Sequence, residues 1–223
     1  MLYIVSTPIG NLKDITLRAI EVLKSVELIA AEDTRHTKIL CKEYGIETPL
    51  TSYFEHNQFK KGEYILKQLQ EGWKVALVTD AGTPGISDPG YKLINLARQN
   101  NIPVTVVPGA VALITALSLS GYPSDRFTFE GFLPVKPGQR RKKLGSLKDE
   151  ERTAIFYESP HRLLKSLEDI KEILGDPKTF VGRELTKKFE EGIEAKASEL
   201  IEYFSRKGVK GELVIILKGT GIV

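Results

Sequence analysis

Four short polar strings hold the side chains best suited to chemistry in this 223-residue chain. They are Glu32-Asp33-Thr34-Arg35-His36, Tyr157-Glu158-Ser159-Pro160-His161-Arg162, Arg183-Glu184-Leu185-Thr186-Lys187-Lys188 and Gly211-Glu212. Carboxylates and imidazoles can take a proton from a hydroxyl nucleophile. Arg and Lys can stabilise a forming oxyanion or hold a phosphate. Each string also has a purely structural explanation. Asp33 or Thr34 can cap a helix. Pro160 can open one as its first residue. Arg183 and its neighbours can pair across strands with Glu190 or Glu191, and Gly211-Glu212 can be a turn. Two acids, an Arg and a His within five residues exceed what a cap requires. Pro160 likewise leaves Glu158, His161 and Arg162 unexplained.

A fifth string, Asp80-Ala81-Gly82-Thr83-Pro84-Gly85-Ile86-Ser87-Asp88-Pro89-Gly90, follows the apolar run of residues 75–79 and precedes a helical pattern at 91–97. Open α/β sheets bind ligands outside the carboxyl ends of their strands. Glycines expose backbone groups there, and prolines stiffen the loop. Such a length exceeds what a simple reversal needs. Thr7-Pro8-Ile9-Gly10-Asn11 and Pro108-Gly109 are further Gly/Pro joints after strand-like runs.

These strings sit on alternating elements. Residues 2–6, 27–31, 50–53, 75–79 and 103–107 read as strands, and helical patterns follow at 14–25, 34–44, 57–71, 91–97 and 110–119. Five strand-then-helix units predict a mostly parallel sheet with helices on both faces. After a joint at residues 118–125 the pattern changes. Strands are expected at 127–132, 153–157, 179–185, 189–195 and 212–217, and helices at 140–147, 160–174 and 198–207. The short gap before residue 189 predicts a hairpin, and hence a mixed sheet. The fold class expected is α/β, with an N-terminal domain over residues 1–117, a C-terminal domain over 118–223, and a ligand cleft between them.

Composition narrows the classes. Apolar residues make up 41% and charged residues 27%, the balance of a globular domain. No apolar run approaches the ~18 residues of a membrane span. Cys41 is the only cysteine, so neither an intrachain disulfide nor a cysteine-based zinc site is expected; a reducing, cytoplasmic setting fits. His36, His56 and His161 lack metal-ligand spacing. A net charge of +3 is too small to argue for nucleic acid by itself. The local run Lys136…Arg140-Arg141-Lys142-Lys143 offers phosphate contacts, with a solvated helix start as the plain alternative. The P-loop, the G-x-G-x-x-G fingerprint and the nucleophile elbow are all missing.

Seven strings in order carry a family resemblance. They are Val5-Ser6-Thr7-Pro8-Ile9-Gly10-Asn11-Leu12, Glu32-Asp33-Thr34-Arg35, the 80–90 loop, Pro108-Gly109-Ala110, Gly131-Phe132-Leu133-Pro134, Tyr157-Glu158-Ser159-Pro160-His161-Arg162 and Arg183-Glu184-Leu185-Thr186-Lys187. Across essentially its full length the chain resembles the ribosomal RNA small subunit methyltransferase I family of the tetrapyrrole methylase superfamily. The resemblance implies transfer of a methyl group from S-adenosylmethionine to the ribose 2′-hydroxyl of a cytidine in the decoding region of small-subunit rRNA. It also implies a homodimer, a donor held between two α/β domains, and no metal. Pro8, Asp80, Ala81, Gly82, Ile86, Thr115, Ala116, Tyr157, Leu185, Gly211 and Glu212 match donor-contacting positions. Asp80-Ala81-Gly82 stands where the superfamily has a Gly-Asp-Pro turn.

For the chemistry, Asp33 and Arg35 are expected at the reacting hydroxyl, with Glu158 and Arg162 opposite. Glu32, His36 and His161 are further candidates for the base. Arg140, Arg141, Lys142, Lys143 and Lys187 are expected to meet RNA, probed on the assembled small subunit, without a membrane. Tyr53, Phe54 and Phe132 are candidates for stacking on an unstacked base. Two other readings are methylation of a tetrapyrrole carbon and a non-catalytic ribosome-binding module. The Glu32–Arg35 and Tyr157–Arg162 strings count against the first, and the intact Gly/Pro loops against the second.

Overall fold

The computed structural model describes residues 1–220 and divides into two compact units, Met1–Val111 and Ala112–Val223. In the first unit, strands β1 (Leu2–Val5), β2 (Leu28–Ala31), β3 (Leu50–Ser52), β4 (Val75–Val78) and β5 (Val104–Val107) alternate with helices α1 (Leu17–Ser25), α2 (Thr34–Tyr44), α3 (Gln58–Gln70) and α4 (Tyr91–Gln99). The strands form one sheet in the order β3-β2-β4-β1-β5, with every pairing parallel.

The period-two alternation of each strand supplies two cores. Ala19, Leu23, Leu40 and Cys41 from α1 and α2 pack against Val5, Ile29, Ala31, Ala76 and Val78. Ile65, Leu69, Leu93 and Ala97 from α3 and α4 pack with Leu2, Leu28, Ala30, Val75 and Leu77. Burial on both faces is why these strands read as continuous apolar runs. The parallel pairing sends every strand's carboxyl end, and every loop leaving it, to the same edge of the sheet.

Local chemistry sets the boundaries. The helix expected from residue 14 is instead a short 3-10 turn, Leu12–Asp14, then an extended Ile15. Helix α1 starts only after Thr16, whose side chain accepts a hydrogen bond from the Ala19 N–H. Gly45 ends α2 at φ 60°.

The second unit contains α5 (Ala112–Ser120), β6 (Phe127–Phe132), α6 (Pro137–Gly145), β7 (Thr153–Glu158), α7 (Leu163–Leu174), β8 (Lys178–Arg183), β9 (Glu191–Lys196), α8 (Ala197–Lys207) and β10 (Leu213–Leu217). Its sheet runs β6-β7-β10-β8-β9, parallel only between β6 and β7. This is the expected mixed sheet with its hairpin. Leu144, Leu163, Leu167, Ile170, Leu200 and Phe204 cover Phe156, Val181 and Ile215 on one face. Helix α5 packs against β7, β8, β9 and β10. It therefore goes with this sheet, and the expected division after residue 117 falls inside it.

Pro160 does not open α7. It lies in a turn closed by the Arg162 N–H donating to the Ser159 carbonyl, and the helix begins at Leu163. Strand β8 ends at Arg183 because Glu184 and Thr186 take positive φ values of 51° and 65°. Among the described residues, no helix is long and apolar enough to cross a membrane.

Candidate functional site

In the first unit the carboxyl ends of β1, β4 and β5 interlock. Thr7 and Gly82 exchange backbone hydrogen bonds of 2.9 and 3.1 Å, which ties the first loop to the 80–90 loop. The Thr7 hydroxyl donates to the Thr79 carbonyl at 3.0 Å, and the Ser6 and Thr83 hydroxyls meet at 2.7 Å. Gly109 comes so close to Ser6 that a Cβ there would lie 2.9 Å from the Ser6 Cβ. Gly82 holds φ +87°, a conformation that side chains other than glycine's adopt at a cost. Pro8, Asp80, Ala81 and Gly82 thus fall on one small, rigid surface. Ile86 stands exposed on the same loop. None of these hydroxyl and glycine contacts, Ser6, Thr7, Thr79, Thr83 and Gly109, was singled out from sequence. The available signal was the hydroxyl residues Ser6, Thr7 and Thr79 that follow the apolar runs of β1 and β4.

Beside this surface the ends of β2 and β4 bring carboxylates together. Glu32 accepts from the Thr79 hydroxyl at 2.5 Å. Asp80 accepts from the Asp33 N–H at 3.1 Å. Asp33 caps α2 by accepting from the Arg35 N–H at 2.8 Å and pairs with the Arg35 guanidinium at 2.6 Å. The two carboxyls respond in opposite ways. Hydrogen bonds from the Arg35 side chain and backbone hold Asp33 well below the usual carboxylate range. Burial pushes Asp80 up, and the negative charge of Glu32 adds to the rise against the opposing Asp33 N–H. The Arg35 side chain remains 89% exposed.

The second unit builds its own cluster at the ends of β7 and β8. Because β10 runs antiparallel to both, Leu213 pairs with Glu158 and with Arg183, which sets Gly211 and Glu212 beside those ends. The Tyr157 hydroxyl accepts from the Leu113 N–H at 3.3 Å, at the start of the helix that carries Thr115 and Ala116. Ala116 and Leu185 are buried, Leu185 against Gly182. A Cβ on Gly211, at φ +89°, would lie 2.4 Å from the Glu184 carboxyl.

Here the charges are spent on one another. The Glu158 side chain is fully buried. It accepts from the Ser159 N–H at 2.7 Å, from the Ser166 hydroxyl at 2.5 Å and from Arg162 at 2.7 Å. It is therefore a buried anchor, and the expectation that Glu158 faces a reacting hydroxyl is corrected. Arg183 pairs with Glu191 at 2.8 Å, the cross-strand contact that the sequence allowed as the structural explanation. Lys187 bridges Glu184 and Glu212 at 2.9 and 3.0 Å.

The basic run of α6 is also corrected in part. Arg140 is buried, donating to Asp169 at 2.6 Å and to the Val135 carbonyl, so it is not a phosphate contact. Arg141 lies between Asp169 and Glu172, and Lys143 pairs with Glu130. Lys142 is exposed. Arg140 and Leu144, four residues apart, lie on one side of α6 and are its buried residues, in a helix that packs on α7. Among the described residues no group of acidic, His or Cys side chains is arranged to hold a metal.

This architecture has known counterparts. The sequence profile of the tetrapyrrole (corrin/porphyrin) methylases matches residues 1–201. Ribosomal RNA small subunit methyltransferase I of Escherichia coli O157:H7 is 53% identical over 98% of this chain and 77% of its own length. The protein of that name from Thermotoga maritima is 50% identical over 98% of both chains. In structure, a uroporphyrin-III C-methyltransferase from Thermus thermophilus, solved with S-adenyl homocysteine, matches with a TM-score of 0.67 at 19% identity, over 99% of this chain and 97% of its own. Diphthine synthase matches with a TM-score of 0.73 at 12% identity, over 97% and 89%. Two α/β units with these strand orders, and near-complete sequence matches at about half identity, place the chain in the tetrapyrrole methylase family, within its ribosomal RNA small subunit methyltransferase I branch.

Proposed function

We propose that the chain is an S-adenosylmethionine-dependent methyltransferase that acts on the 2′-hydroxyl of a cytidine ribose in the decoding region of small-subunit rRNA, as a homodimer and on the assembled small subunit. The observation that carries this reading is the identity of about half the residues, over nearly the whole chain, with proteins named for methylation of that RNA. The tetrapyrrole methylases share the fold at much lower identity.

The strand-end residues fit the donor's chemistry. S-adenosylmethionine is cationic at its sulfonium and ammonium and carries no phosphate. A surface bearing Glu32, Asp33 and Asp80 suits those charges. Pro8, Asp80, Ala81, Gly82 and Ile86 from one unit, and Thr115, Ala116, Tyr157, Leu185, Gly211 and Glu212 from the other, are the residues we assign to it. When bound, the donor supplies an electrophilic methyl carbon; its bond to sulfur breaks as the bond to the ribose oxygen forms, and the hydroxyl proton leaves to a base or to water.

The chain's own contribution is alignment and charge. Alignment of the reactants accounts for up to ~7–11 kcal/mol of such a barrier. Asp33, held ionised by Arg35, is a weak base and serves to aim the guanidinium. Arg35 then meets the forming alkoxide or the adjacent phosphate. Glu158 fixes Arg162 from behind, as a positioning residue. Lys142 and the exposed part of Arg141 are the cations left to meet RNA, since Lys187 is held by Glu184 and Glu212.

The test is a direct competition. The purified protein is given methyl-labelled S-adenosylmethionine with unmodified small ribosomal subunits and, separately, with uroporphyrinogen. Label entering rRNA alone supports the reading. Label entering the tetrapyrrole alone overturns it in favour of the small-molecule reading.

A further inference from the structure

Of the three aromatic side chains that the sequence offered for stacking, Tyr53, Phe54 and Phe132, the one at the end of β6 stands out in the structure. Phe132 is 53% exposed at the end of β6, an edge strand of its sheet. Its position is built. The pairing of β6 with β7 shifts register between Phe129 and Phe132, and Gly131 within the shift holds φ +66°. A bulge of this kind re-aims the next side chain, and bulges recur beside active sites. The shifted register sets Phe132 against Tyr157, with ring centroids 5.8 Å apart at 67°.

The ring is held from behind by the cluster whose purpose the charges alone left open. The Arg162 guanidinium lies 5.9 Å from the Phe132 centroid, within cation–π range. Arg162 cannot swing freely. It donates to the Leu133 carbonyl at 3.1 Å and to Glu158 at 2.7 Å, and Glu158 is itself fixed by Ser166 and the Ser159 N–H. A buried carboxylate thus orders a guanidinium, and the guanidinium steadies an exposed aromatic ring.

We propose that Phe132, braced by Arg162 and Tyr157, is the platform on which an unstacked base of the acceptor RNA stacks. The inference rests on the methyltransferase reading of the preceding subsection and names the group that receives the base. Three observations favour a nucleobase. A flat ring is left half-exposed while Arg162 lies over it and Tyr157 packs against it at 67°, which fixes it for a flat partner. A guanidinium at its side adds attraction for a base and for the phosphate next to it. The ring's partner in register is Tyr157, a residue already assigned to the donor. Single-stranded RNA is recognised by this combination of aromatic face and Arg plane.

The experiment compares F132A, F132L, F132Y and F132W with wild type, using methyl-labelled S-adenosylmethionine and unmodified small subunits. Exposure of the side chain makes all four expected to fold, and thermal melting checks this. F132A and F132L are expected to lose roughly 5- to 150-fold in kcat/KM for the RNA, the span of one base–aromatic stack. F132Y and F132W are expected to retain most of it. The donor dissociation constant, read by calorimetry, is expected to stay within a factor of two or so of wild type in all. F132L matching wild type overturns the platform, because apolar bulk then suffices. A change of oligomeric state in F132A, read by sedimentation, also overturns it and assigns the ring to a contact between copies. Wild-type protein that leaves the rRNA unlabelled overturns the methyltransferase reading itself, and the platform with it.

Discussion

The strand ends of the two units solve opposite problems with similar residues. In the first unit the backbone does the locking, through the Thr7–Gly82 exchange and the Gly109–Ser6 approach. Its side chains are left in tension: Asp80 is pushed up by burial, and Arg35 reaches into solvent. In the second unit the side chains do the locking. Glu158 with Arg162, Arg183 with Glu191, and Lys187 with Glu184 and Glu212 satisfy one another. The contrast teaches that a cluster of charges at a strand end has two readings that only partners can separate. Unfulfilled charges point to a ligand, and fulfilled ones to a scaffold that aims something else, here Phe132.

Four substitutions bear on this contrast. The largest effect is expected in the second unit, from Asp169→Ala. It strips the partner from Arg140, whose side chain is 5% exposed. An unpaired buried charge costs about 3–5 kcal/mol, so the denaturant midpoint should fall steeply in equilibrium unfolding. A change under ~1 kcal/mol would mean that Arg140 behaves as a surface cation after all.

Arg35→Ala is the counterpart in the first unit. An exposed guanidinium contributes little to stability, yet loss of a charge-stabilising donor costs roughly 10²–10³ in kcat. Steady-state kinetics should show that loss with an unchanged melting temperature. Destabilisation with normal turnover would reverse the contrast.

Asp80→Asn should separate stability from binding. Burial raises the Asp80 pKa in the folded chain, so the folded state holds the proton more tightly than the unfolded one. Stability therefore falls as pH rises from the unfolded value through the folded one. The neutral, isosteric side chain keeps an oxygen for the Asp33 N–H and removes the charge. A raised melting temperature at pH 7 should accompany weaker donor binding by calorimetry. The gain should vanish in acid. Lower stability with intact binding would count against a donor role for Asp80.

Lys142→Gln should have the smallest effect. It removes one exposed cation, so the log–log salt dependence of RNA binding should lose about one charge's slope with stability held within ~0.5 kcal/mol. An unchanged slope would remove α6 from the RNA surface.

How much of this was legible in the sequence depended on the range of the interaction. The five apolar runs followed by helical periods specified the parallel sheet, and the central strands β1, β2 and β4 bury residues on both faces. The hairpin before Glu191 gave the mixed sheet. Gly82 and Gly109 were visible as glycines, but their close approaches to other loops were not, since those contacts join residues far apart in the chain. Arg140 looked like its neighbours in a basic run. Only the packing of α6 on α7, which sets Asp169 beside it, distinguishes it from Lys142. Glu158 was legible as a charged residue beside Arg162, while its burial and its bond to Ser166 depend on the turn of α7 beneath it. Asp33 was legible as a cap of α2, because the N–H it accepts from lies two residues on, whereas its pairing with the Arg35 guanidinium came from the structure.

The most direct test of the central claim is the chemical position of the transferred methyl group. Small-subunit RNA labelled by the protein is hydrolysed with alkali, which cleaves only where a free 2′-hydroxyl can attack the neighbouring phosphate. The account predicts that the label survives in an alkali-resistant dinucleotide that begins with a decoding-region cytidine. Label released on a mononucleotide would place the methyl group on a base and contradict the assignment of a ribose hydroxyl as the acceptor.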